Sequence, residues 1–545
     1  MAIKAGPGGP FQTEPDAARK APDTSFRYAP GTVYAMLAER SAQAPEAVAV
    51  LAPGRDVLSF AALMAQIDEL RGRLNALGLG RGDRIALPAR RGPETAVAAL
   101  GICCSATCIP MNPTATTSEW RTALLATGAK AVLAPDAVDP AVREVADQLG
   151  VSWLQGSVPK GGPAGRFSIE GESAASARYP GTPTPGDTAL ILRTSGTTST
   201  PKLVPAGHGH LVARIEKVIR LLALTSVDRC LNLMPLCYGH GLLSGTMSSL
   251  AAGGGVICPT DVDGESFLQC LREFQPTWYT GGPTYHETVV EWLRTQPDAG
   301  RSLNFARSSA APLPTRVREA LEQMLGIPLI EGYGTSETGN ITANPRNGRI
   351  KVGTVGISGD DNLAIVDESF ARLPAGEVGE VLVRGPTVFR GYEKDPEANR
   401  ASFHNEWFRT GDFGFLDEDG YLTLTGRIMD FINRGGEKVS PFEVDAALLE
   451  HPEVVEAATF GIPHASLGEE VAAAVKLLTE GSVTQRNLQE FLLKRLTPFK
   501  VPRRIMFLAE MPKGPTGKPL RKALVEQMQS RRRPAAAPSG DTDYR

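Results

Sequence analysis

Between Thr194 and Thr200 every residue except Gly196 carries a hydroxyl, and Pro201 and Lys202 follow at once. This run, RTSGTTSTPK, takes over where the apolar stretch TALIL ends at Leu192. TALIL has the composition of a buried strand. A strand end opening into a Gly/Ser/Thr loop is where α/β proteins hold phosphate. Gly196 lets backbone N–H groups come close to an anion. The hydroxyls of Thr194, Ser195, Thr197 and Thr198 add donors without bulk, and Lys202 adds positive charge. The run is not a Walker A loop, because G-x-x-x-x-G-K-[ST] is absent. On composition alone a flexible Ser/Thr loop is an equal reading.

Company decides between the two. LMPLCYGHG (233–241), SSAAPL (308–313), EGYGTSE (331–337) and GEVLVRGPTVFRGY (379–392) follow in order, then RTGDFGFLDEDGYL (409–422), GRIMDFINRGGEKVSPFEVD (426–445) and GPTGK (514–518). With the hydroxyl loop these segments resemble the adenylate-forming superfamily of acyl-CoA synthetases, peptide-synthetase adenylation domains and luciferases. The resemblance covers roughly residues 30–525. In INRGGEKVSP, PLCYGHGL and RSSAAPL the chain looks most like small-acid CoA ligases, oxalate ligases among them. Oxalate enzymes tend to carry a His shortly after the metal-holding glutamate, where this chain has Asn340. LMPLCYGHG lacks the acid that peptide-synthetase domains place there for an α-ammonium.

The resemblance implies two half-reactions. A carboxylate attacks the α-phosphate of ATP and displaces pyrophosphate; a thiol, usually that of CoA, then takes the acyl group and AMP leaves. The first half gathers anions, so it needs positive charge, Mg²⁺ and in-line positioning. Glu337 matches the metal-holding carboxylate, a hard ligand suited to Mg²⁺. Thr335 resembles the α-phosphate donor and Lys518 the lysine that reaches carboxylate and phosphate. Tyr333, within Glu331-Gly332-Tyr333-Gly334, matches the ring that stacks on adenine. Asp412 and Arg427 match the ribose contacts, and Ser309, Ala310 and Ala311 border adenine and acyl chain. His240, Gly281, Ser308, Thr338 and Asn340 line the expected acyl pocket. Gly435, Gly436 and Lys438 fall where relatives lay the pantetheine arm. Met429 takes the hinge place two residues after the ribose-contacting arginine, where relatives usually carry Asp or Lys. A standalone enzyme loading a carrier protein in trans, or a non-catalytic nucleotide-binding relative, are the competing readings.

Elements must hold these residues in place. Apolar residues at helical spacing from Leu58 to Gly78 predict a helix. Strands are expected at 83–89, 130–134, 189–193, 254–259 and 327–334, and a helix at 94–106. That alternation predicts a large α/β domain of parallel βα layers over 28–428. After Gly379 short hairpin-linked strands take over. Ser440, Pro441 and Glu443 predict a helix start with a capping box. A smaller mobile α/β domain is expected at 429–528, between a flexible arm (1–27) and a disordered tail (529–545).

With 545 residues the chain exceeds what one core supports. A net charge of -3 gives no case for a nucleic-acid partner. No apolar run approaches the ~20 residues of a membrane span, and the N-terminus lacks a signal core. Seven cysteines, all between Cys103 and Cys270 and with no CxxC, read as buried apolar residues of a cytoplasmic protein, not as disulfides or metal ligands. A monomer or homodimer is expected.

Overall fold

The computed structural model describes residues 31–170, 176–194, 201–514 and 518–530. Both terminal segments, apart from Gln529 and Ser530, lie outside that range. Those two residues end the helix Arg521–Ser530.

Among the described residues a seven-stranded and an eight-stranded sheet build the large domain. Trp278–Gly281, Phe305–Ser308 and Leu329–Thr335 run parallel at the site end of the larger sheet. Their alternation explains the layering. Trp278 and Phe305 face the core shared with the second sheet, where their rings stack at 5.2 Å. Tyr279 and Ala306 point to the other face, against the helix Gly264–Phe274. In the second sheet Leu190 faces the shared core and Ile191 the far one. Helix, sheet, helix, sheet and helix thus stack, and both sheets are covered on both faces, which is why their strands are nearly all apolar.

The helix predicted from Leu58 begins at Phe60, because Leu58–Ser59 is a short strand and Ser59 caps the helix by accepting from the Ala62 N–H. The helix expected at 94–106 ends at Cys103, and the next strand, Thr107–Met111, is fully buried and lacked an alternating signal. All seven cysteines are buried free thiols.

A five-stranded antiparallel sheet carries Gly379–Val383, Trp407–Leu416 and Leu422–Arg427. A separate five-stranded sheet begins at Ile432–Arg434 and belongs to a smaller C-terminal domain. Between them lies only the single turn Ile428–Asp430. The predicted capping box forms by half. Ser440 accepts from the Glu443 N–H, but the Glu443 carboxylate pairs with Lys500 Nζ at 2.7 Å. A lysine charge outbids a neutral N–H for that carboxylate.

Candidate active site

The hydroxyl loop is closed at its mouth. Thr194 N–H donates to the Lys202 carbonyl at 3.0 Å, and Lys202 N–H to Thr194 Oγ1 at 3.1 Å. Ser195, Gly196, Thr197 and Thr198 lie outside the described residues. Lys202 Nζ stands 4.7 Å from the centre of the Tyr392 ring. The Tyr392 hydroxyl donates to Glu337 Oε1 at 2.8 Å. The loop cation and the candidate metal ligand therefore share one tyrosine, which the sequence reading left without a role although it ends GPTVFRGY.

A second unassigned residue fixes this corner. Arg214, 1% exposed, donates to the carbonyls of Thr387, Ser336 and Glu337. It staples the GTSE turn to the segment that brings Tyr392. Burial pushes its guanidinium down to about 10, against the pull of Glu337. The other oxygen of Glu337 accepts no hydrogen bond from the described residues. A hard carboxylate oxygen held in place by Tyr392 and Arg214 suits Mg²⁺.

The ribose corner is a hairpin register. Asp412 and Arg427 face each other across strands 407–416 and 422–427. Arg427 Nε donates to Asp412 Oδ1, and the Tyr333 hydroxyl donates to Asp412 Oδ2. Tyr333 and Asp412 are both buried, at 8% and 4% exposure. Tyr333 is brought here by a tight approach of strands. At Gly334 a Cβ would lie 2.3 Å from the Gly339 carbonyl, so only glycine lets the hairpin close. In that hairpin Thr335 and Thr338 share a hydrogen bond between hydroxyls at 3.1 Å. Glu331, by contrast, is held by Arg318, which also binds Glu322 and the Leu329 carbonyl. Its carboxylate is a structural anchor, and only its backbone is left for a nucleotide.

Lys518 joins this cluster electrostatically. Its surface is open to solvent, yet crowding by protein pushes the ammonium down to about 8, with Arg427 opposing it and Asp412 and Asp430 supporting it. Lys518 thus lies near enough to the Asp412–Arg427 pair for both charges to act on it. If Lys518 must be cationic, the kcat/KM of adenylation falls as pH rises through about 8, where the amine loses its proton. Lys518→Arg should move that basic limb upward, and a pH profile of pyrophosphate release measures it.

His240 opens a π-helical turn, His240–Met247, a form frequent at functional sites. Its Nε2 lies 2.7 Å from Thr280 Oγ1, next to Gly281, while Nδ1 is buried without a partner. Burial, then the charges of Arg307 and His286, holds the imidazole neutral. Asn340 donates to Ser244 Oγ at 3.3 Å within the same turn. Ser308 ends its strand with a buried, unpartnered hydroxyl. In the turn that follows, which holds Ser309 and Ala311, Ala310 takes φ 84°, a conformation that favours glycine and marks local strain.

Gly435 and Gly436 have φ 61° and 97° and form the two-residue turn between Ile432–Arg434 and Glu437–Val439. Hairpin geometry alone requires them. Lys438 is exposed on that hairpin. Among the described residues no hydrogen bond joins these three to the cluster above.

Comparison with known proteins agrees with this arrangement. The family description "AMP-binding enzyme" matches residues 37–393, and "AMP-binding enzyme C-terminal domain" matches 443–518. A probable CoA ligase, CCL9, of Humulus lupulus is 36% identical over 91% of this chain and 96% of its own. The oxalate–CoA ligase of Arabidopsis thaliana is 34% identical over 91% and 98%. The solved structure of ATP-bound MatB from Rhodopseudomonas palustris superposes with a TM-score of 0.82 at 27% identity, over 91% of this chain and 99% of that one; its apo form gives 0.73. The chain belongs to the AMP-binding enzyme family, as an AMP-forming synthetase of the acyl-CoA type.

Proposed function

We propose that this chain adenylates a small carboxylic acid with ATP and passes the acyl group to CoA. The observation that supports the reading is that Lys518 lies near enough to the Asp412–Arg427 pair, which Tyr333 also joins, for their charges to act on it. Ribose sits on Asp412, where a carboxylate can accept from the diol. Adenine lies along Tyr333 and the Ser309–Ala311 turn. The hydroxyl loop and Lys202 take the β- and γ-phosphates. Mg²⁺, when bound, offsets phosphate charge, and Glu337 is the residue that would hold it. Lys518 approaches the reacting carboxylate and the α-phosphate, offsetting their mutual repulsion as negative charge builds on the phosphoryl oxygens. Thr335 donates to the same phosphate.

The small domain, which we place at 429–528, then rotates about Met429. That withdraws Lys518 and presents Gly435, Gly436 and Lys438 to the CoA arm. Buried free thiols suit a reducing cytosol.

Pyrophosphate release over a panel of carboxylic acids, with and without CoA, tests the reading. An acyl-CoA product supports it. Adenylation that ignores CoA and loads a carrier protein overturns the acceptor; no adenylation of any acid overturns the whole. Glu337→Gln keeps the oxygen that accepts from Tyr392 and removes only charge. It should raise the Mg²⁺ needed for half-maximal rate by at least the ~10-fold typical of lost partners around a metal. An unchanged Mg²⁺ titration would remove Glu337 from the metal.

A further inference from the structure

On the inner face of the larger sheet lies a guanidinium with two idle donors. Arg307 is 1% exposed and sits in its strand between Thr280 and Ile330. Its Nη2 donates to Asn340 Oδ1 at 2.9 Å, whereas Nε and Nη1 have no partner. Burial pushes the group down to about 10, and the neighbour opposing that is the Cys230 thiol, not a carboxylate. A buried ion without a counterion is unfavourable, and interiors rarely leave such N–H groups unbonded.

The surroundings point to a ligand. Asn340 links Arg307 to Ser244 in the turn begun by His240. His240 is near enough for Arg307 to oppose its protonation, and its Nδ1 is a second buried polar atom without a partner. Asn340 pairs with Gly334, and Gly339 with Thr335, in the hairpin that carries the α-phosphate donor. Paired backbones there are about 5 Å apart. The residue anchoring the guanidinium is thus one cross-strand step from the reaction centre.

We propose that Arg307, oriented by Asn340 beside neutral His240, binds a second anionic group on the acid, so that the preferred substrate is a short dianion. The proposal rests on the acid–CoA ligase reading. One carboxylate is adenylated; the other anion, a carboxylate or a sulfonate, accepts from an unbonded N–H of the guanidinium, at Nε or at Nη1. Apolar tails would leave those N–H groups stripped of water and unpaired, so monoacids of equal length bind poorly.

The test compares kcat/KM for pyrophosphate release on oxalate, malonate, succinate and sulfoacetate with that on acetate, propanoate and butanoate. The best dianion is expected to exceed its monoanionic match by on the order of 10²-fold, the effect of one buried charged contact. Arg307→Met should collapse that ratio. Asn340→Asp should do the same without changing the packed shape, because its carboxylate would occupy the guanidinium; it covers the case in which Arg307→Met fails to fold. The loss should appear in KM for the acid, with KM for ATP unchanged. A wild-type preference for monoacids, or an Asn340→Asp enzyme that keeps its dianion ratio, overturns the proposal while the ligase reading stands. Silence on every acid overturns both.

Discussion

Lys518→Ala is expected to slow pyrophosphate release by ~10²–10³-fold, the scale of losing one preorganised group that stabilises transition-state charge. The same variant should make thioester from a supplied acyl-adenylate within a few-fold of wild type. The asymmetry follows from where charge develops. In the first half a carboxylate approaches a polyphosphate, and in the proposed mechanism Lys518, close enough to the Asp412–Arg427 ribose pair to feel its charges, reaches to where they meet. In the second half pyrophosphate has gone, so no comparable charge remains for the lysine to offset. Lysine suits the task as a compact charge on a flexible stem. Rapid quench of the two halves separately reads the result. Equal losses in both would mean that Lys518 supports the fold of the site and not the adenylation step.

Much of this site was legible because its parts are local in sequence. Glu337, Thr335 and Tyr333 lie within one seven-residue segment, and the Asp412–Arg427 pair is one hairpin register. Parallel layers were legible from alternating apolar runs. What the sequence hid is long-range. Arg214 lies 122 and 123 positions from the Ser336 and Glu337 carbonyls it binds, and nothing near it in sequence distinguishes it from a surface arginine. Tyr392 reads as the end of a motif and gains its role only by meeting Glu337, 55 residues away. Arg307 sits beside a segment singled out as adenine-bordering, but that its side chain is buried follows only from its strand's place between two others. The two hairpin glycines carry less information than their motif suggests. A place along the CoA arm is expected for Gly435 and Gly436, but their positive φ is enough to require glycine, so their identity speaks neither for nor against that role.

The last expectation concerns the turn between the two domains. Strand Leu422–Arg427 belongs to one sheet and Ile432–Arg434 to another, so any rotation of the small domain concentrates in Ile428–Asp430. The present arrangement is clasped on several sides. Ser440 Oγ donates to the Thr425 carbonyl, and Phe431 meets Phe413 edge-on at 5.6 Å. Arg316 of the large domain donates to the Val455 carbonyl at 3.0 Å and to Glu287 at 2.9 Å. Each of these contacts is weak alone, so the backbone decides what the turn can do. Met429 is the middle residue of a 3₁₀ turn. Such turns have φ of about -50 to -70°, which proline accepts, and the first turn of a helix leaves its N–H groups unbonded. Met429→Pro therefore fits the arrangement in which Lys518 lies near the ribose corner, and it resists the dihedral change that rotation requires. Pyrophosphate release should continue within about tenfold of wild type, while thioester formation from supplied acyl-adenylate should fall by at least the ~10²-fold that misplacing a reacting group brings. Met429→Asp, which leaves the backbone free, should be nearly neutral in both halves. If Met429→Pro runs both half-reactions, rotation does not pass through this turn, and the domain boundary belongs elsewhere.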